Sequence, residues 1–154
     1  MAKAMLFPIT AFAQAYVQTW DLVDSGKHLD YDGNSTYMSY INTGAATWNA
    51  YKSGVIRKDS AFVVEDVYVS DVNASNGWAG MTYSSGKIEL NTYYMSGYSN
   101  SKKQNVATHE LGHALGLDHS TSTDVMDAAI TGHTSTQALS QNDKDSYDAA
   151  YNNY

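Results

Sequence analysis

The sequence predicts a single α+β domain, α/β-like in its layering. Stretches with two-residue alternation and stretches with helical spacing follow one another along the chain, and no repeat or linker interrupts them. Its 154 residues, 43% hydrophobic and 16% charged, suit one core and exclude a disordered or fibrous chain.

Taken in order, Ala11 to Leu22 reads as a short helix with Phe12, Ala15, Tyr16 and Thr19 on one face. The polar stretch from Asp24 to Ser35, rich in Gly and Asp, reads as a loop. Tyr37 to Ile41 has strand character. Asn42-Thr43-Gly44 can cap a helix whose buried stripe is Ala45, Trp48 and Tyr51 and whose stop is Gly54. Ala61 to Val72 carries apolar residues on both alternating faces, the pattern of an interior strand. Asn73 to Gly77 is turn chemistry, and Met81–Tyr83 with Ile88–Leu90 form a hairpin around Ser84-Ser85-Gly86. Asn100 or Ser101 can cap a helix that runs to about Leu115. A long polar loop covers residues 121 to 136. Ser140, with Asp143 three residues on, makes a capping box for a last helix with Tyr147, Ala150, Tyr151 and Tyr154 on its apolar face.

Composition narrows the function. A formal net charge of -7 disfavours nucleic-acid binding, which needs a basic face. No apolar run is long enough to span a bilayer. The chain has no cysteine, so disulfides and a cysteine nucleophile are excluded, and a metal must be held by His, Asp or Glu. Tyrosines number 13 against 3 phenylalanines, and they are expected at the edge of the core with their hydroxyls in water. The N-terminal stretch, with Lys3, apolar residues from Met5 and Ala13-Gln14-Ala15, reads as an added helix or retained leader, so residues 1–19 are taken as an extension and 20–154 as the folded domain.

Residues 109 to 119 read His-Glu-Leu-Gly-His-Ala-Leu-Gly-Leu-Asp-His. Residues four apart share a helix face, so His109 and His113 can offer two imidazoles to one metal ion. Glu110 stands beside the first ligand and can reach water there without being a ligand itself. Ala107, Leu111, Ala114 and Leu115 lie toward the opposite side and anchor the helix. Gly116 can take the left-handed conformation that ends a helix, and the turn returns His119 toward the other two histidines. Three neutral imidazoles leave a zinc position open for water, whose pKa such a site lowers to about 7. The remaining histidines, His28 and His133, fall in loops and read as solvated side chains rather than ligands.

This stretch matches the metzincin zinc motif in full, and Asp124-Val125-Met126 resembles the methionine-containing turn that follows it in that family. Within the metzincins the sequence is similar to the matrixins: Ser120 follows His119, and Leu139-Ser140 with Asp143, Tyr147 and Tyr151 resembles their C-terminal helix. Gly80 to Asn91, Asn105 to Thr108 and Trp20 to Asp30 resemble small secreted peptidases of Gram-positive bacteria.

The resemblance implies a twisted mixed sheet, an active-site helix, a horizontal cleft and a small C-terminal subdomain. It implies a zinc-dependent endopeptidase with one Zn2+ on His109, His113 and His119 and Glu110 as general base. A protein or peptide substrate would lie extended along an antiparallel edge strand at residues 79 to 83. It further implies a secreted, extracellular protein, and a monomer is expected. The competing reading is a catalytically silent metzincin-fold binding protein. Asp127 and Ala128 depart from the Tyr and Pro that matrixins carry after the methionine. Residues 70 to 80 hold no histidine, so a second, structural zinc is not expected. Asp21 and Asp24 are read as solvated rather than as caps on the metal.

Overall fold

In the computed structural model, residues 14–154 are described. Five strands form one sheet in the order β2-β1-β3-β5-β4. The strands are β1 (Leu29–Gly33), β2 (Ile56–Lys58), β3 (Val67–Val72), β4 (Gly80–Tyr83) and β5 (Lys87–Asn91). Four pair in parallel, and β4 pairs antiparallel with β5 at the edge. The helices are α1 (Met38–Asn49), the short α2 (Thr92–Met95), α3 (Asn100–Ala114) and α4 (Gln141–Tyr151), with one 3-10 turn at Ile130–Gly132. Among the described residues no helix is long and apolar enough to cross a membrane.

α1 and α3 pack tightly. A side chain at Gly44 would meet the Thr108 backbone at 3.1 Å, and the Trp48 indole N–H donates to the Thr108 carbonyl at 2.9 Å. The α1 stripe is Ile41, Gly44, Ala45 and Trp48, with i, i+3, i+4, i+7 spacing. Trp48 and Tyr147 meet edge to face at 5.5 Å, joining α1 to α4. The α4 capping box forms as the sequence predicts, with Ser140 and Asp143 bonding each other's backbone N–H.

The N-terminal half differs from the sequence reading. Residues 14–22, the described part of the expected helix, are extended instead. Val17 bridges Leu117, and N–H groups of Gln18 and Leu22 donate to the carbonyls of Gly116 and Ala114. The pairing partner is distant in sequence, so no local pattern signals it. Residues 11–13 lie outside the described residues.

The expected loop at 24–35 contains the interior strand β1. Asp30 looks like a loop residue, yet the Arg57 guanidinium grips its buried carboxylate from β2 at 2.8 and 2.6 Å. Tyr37 to Ile41 is not a strand: Met38 already begins α1. The strand expected over 61–72 shrinks to 67–72, because Phe62 is 98% exposed and Val64 84%. The hairpin of β4 and β5 forms as read, with Gly86 at φ +87° in its turn. Not all tyrosine hydroxyls reach water: Tyr147 is fully buried.

Candidate metal centre

Helix α3 begins at Ser99, whose hydroxyl accepts from the Lys102 N–H, one residue before the expected cap. Its inner face, with Ala107, Leu111 and Ala114, is fully buried. The helix ends in a paired bond pattern. The Gly116 N–H donates to the His113 carbonyl at 2.9 Å, and the Leu117 N–H donates to the Gly112 carbonyl at 3.0 Å, with Gly116 at φ +90°. The turn therefore rests on Gly116 as the sequence predicts, and it delivers His119 to the other two histidines.

The three imidazoles converge. Their ring centres lie 4.7, 4.8 and 5.2 Å apart, and one nitrogen from each falls within 4.8 Å of the others. His109 Nδ1 donates to the Val125 carbonyl at 2.8 Å, and His113 Nδ1 donates to the Leu117 carbonyl at 2.8 Å. A carbonyl only accepts, so both rings carry their proton on Nδ1 and keep a lone pair on Nε2. Burial, and then the neighbouring His113, hold the His109 imidazole down to about 3, so it is neutral.

This donor set fits zinc. His113 Nε2 and His119 Nε2 stand 3.2 Å apart. Two nitrogens at the usual zinc distance of about 2.0–2.1 Å in tetrahedral geometry would be about 3.3 Å apart. The backbone carbonyls that orient His109 and His113 are the partners that metal-bound histidines ordinarily need.

Met126 supports the group from below. It is 1% exposed, and a side chain at Gly112 would collide with its sulfur and with Trp48. The buried Asp143 carboxylate accepts from the N–H groups of Val125 and Met126 at 2.9 and 3.1 Å, tying the methionine turn to the start of α4. Sequence reasoning finds Asp143 as a cap but not as the anchor of this turn, since the contact spans the loop between them.

A cleft of about 410 Å³ opens over the site, lined by His109, Glu110, His113 and His119. Glu110 is buried, which pushes its carboxyl up to about 7 against the lowering effect of a hydrogen bond from Thr82. Gln18, Trp20, Trp78 and Met81 form other parts of the wall, and Ala128, Ile130 and Thr131 close it beyond the methionine turn. None of these is marked by the motif, because each reaches the cleft through tertiary packing.

His133 is not the solvated side chain its position suggests. Its Nε2 lies 2.8 Å from Asp127 Oδ2, with side chains only 20% and 13% exposed. His28 keeps its surface position, with Nδ1 3.8 Å from an Asp24 carboxylate oxygen. Asp24 itself accepts from the N–H groups of Gly26 and His28, and Asp21 from that of Val23. Neither aspartate lines the cleft.

Comparison with known proteins agrees with this architecture. No curated protein matches the chain. Among solved structures, archaemetzincin from Methanopyrus kandleri is similar in fold, with a TM-score of 0.59 at 12% identity over 84% of this chain and 99% of that one. The Matrixin peptidase family matches residues 10–152. With a match over nearly its whole length and three convergent imidazoles at the motif, the chain belongs to the matrixin family of metzincin-like zinc metallopeptidases.

Proposed function

We propose that this protein is an endopeptidase that uses Glu110 as general base beside one zinc ion on His109, His113 and His119. The observation that carries this reading is the placement of Glu110. It is a buried carboxylate in the cleft wall shared by all three histidines. Burying a carboxylate costs folding free energy, so a silent binding protein gains nothing from keeping one there.

Zinc bound at the histidines supplies Lewis acidity for a peptide carbonyl and acidifies water. Glu110 accepts a proton from the attacking water and returns it to the leaving amine. The substrate lies extended against β4, whose outer side has no partner strand among the described residues. The formal net charge of -7 supports a preference for neutral or basic segments. On the family resemblance, the protein acts outside the cell and as a monomer.

Peptides blocked at both ends test the reading. Purified protein with one equivalent of zinc should cut them internally, and a chelator should stop the cleavage until zinc is restored. Cleavage only of peptides with free ends would replace endopeptidase by exopeptidase. No cleavage of any peptide by zinc-loaded protein would favour the binding-protein reading.

A further inference from the structure

Two residues of the edge strand touch the carboxylate of Glu110, the proposed base, and neither belongs to the zinc motif. Gly80 and Thr82 are two apart on β4, so both face the same way, toward α3. The Thr82 hydroxyl is 2.7 Å from Glu110 Oε2 and 2.9 Å from the Glu110 carbonyl. Thr82 is itself buried.

At Gly80 the space is already filled. A Cβ there would stand 2.6 Å from Glu110 Oε1, 2.7 Å from its Cγ and 2.9 Å from its Cδ. Gly80 has no left-handed backbone that would explain a glycine. Its lack of a side chain is explained by the carboxylate lying against it.

We propose that Gly80 and Thr82 are positioning residues for catalysis: Thr82 fixes one oxygen of Glu110 and Gly80 makes room for the other. This rests on Glu110 being the base. The hydroxyl has a single proton and two acceptors within reach. It donates to Oε2 while Glu110 is a carboxylate. When the other oxygen, Oε1, holds the proton taken from water, Oε2 still accepts from the hydroxyl, so no heavy atom has to move. The strand proposed to bind the substrate thereby also sets the aim of the base. A misplaced general base loses rate without losing substrate affinity, because the contact matters at the transition state.

The test uses zinc-loaded full-length protein and an internally quenched peptide. Thr82→Val, which keeps the shape and removes the hydroxyl, should lower kcat by about 10- to 100-fold, the range for a lost hydrogen bond to a charged group. KM and zinc content should stay near wild type. Thr82→Ser should recover most of the lost kcat. Gly80→Ala should also lower kcat, since a Cβ there must displace the Glu110 side chain. Crystal structures of Thr82→Val and Gly80→Ala should show the Glu110 carboxylate displaced with the three histidines unmoved.

Wild-type kcat in both Thr82→Val and Gly80→Ala, alongside an inactive Glu110→Gln, would overturn the positioning role and leave the proposed function standing. Wild-type activity in Glu110→Gln would overturn the assignment of the base and this proposal with it. A kcat loss in Thr82→Val that Thr82→Ser fails to recover would also overturn the role of the hydroxyl.

Discussion

Beneath the three histidines, Asp124 and Asp143 are fully buried and each gathers several hydrogen bonds. Along the rim, from Asp127 to His133, the backbone is held by short turns and one contact between the His133 ring and the Asp127 carboxylate. The two regions join at Met126, so the contrast is sharp within a few residues. The floor positions the His109 imidazole through the Val125 carbonyl, and an error there would move that ring. The rim shapes the wall formed by Ala128, Ile130 and Thr131, where variation changes only what fits. Buried carboxylates with several bonds each are thus concentrated beneath the histidines, while the cleft wall rests on local turns.

The largest effect expected from breaking the floor is at Asp143. Asp143→Ala leaves the N–H groups of Val125, Met126 and Ser140 without their acceptor and should cost about 3–5 kcal/mol of stability, measured by urea unfolding. A loss below about 1 kcal/mol would mean that the floor is not held as described.

Next is Asp124. Burial raises its carboxyl, but bonds from Ser140 and Thr121 win and hold it at about 2. Its folded pKa lies below the unfolded value, so its contribution is fully present above about pH 4 and is lost as pH falls through about 2. The depression corresponds to roughly 2 kcal/mol. Asp124→Asn should therefore be less stable than wild type by about that amount at pH 7, with the gap shrinking steadily below pH 4. A gap independent of pH would contradict the account.

The smallest stability effect belongs to the rim. His133→Ala, which removes a single side-chain contact with Asp127, should change stability by under about 1 kcal/mol. It should alter the ratio of kcat/KM between peptides that differ only in the residue following the cleaved bond. The reverse pattern, a large stability loss with unchanged selectivity, would erase the distinction between floor and rim.

The legibility of the sequence follows the same division. The His109–His119 stretch is readable because metal ligation fixes residue type and spacing within one helix and one turn. The β4–β5 hairpin and the Ser140 capping box are readable for the same reason: their determinants are local. β1 is hidden because Asp30 and Asp32 give it a loop's composition, and the Arg57 partner that makes Asp30 tolerable lies on another strand. Phe62 and Val64 mislead in the opposite direction, carrying a strand's composition on an exposed loop. The extended pairing of Val17 with Leu117 and the contact of Thr82 with Glu110 exist only once distant segments pack together, and no spacing encodes them.

The central claim is that the histidines hold zinc while Glu110 performs the proton transfers. Glu110→Gln, assayed for zinc content and peptide cleavage in the same dialysed sample, separates the two roles. The account predicts one zinc per chain, as in the wild type, and a kcat lowered by about 10²- to 10⁴-fold. Cleavage at the wild-type rate with zinc still bound would contradict it.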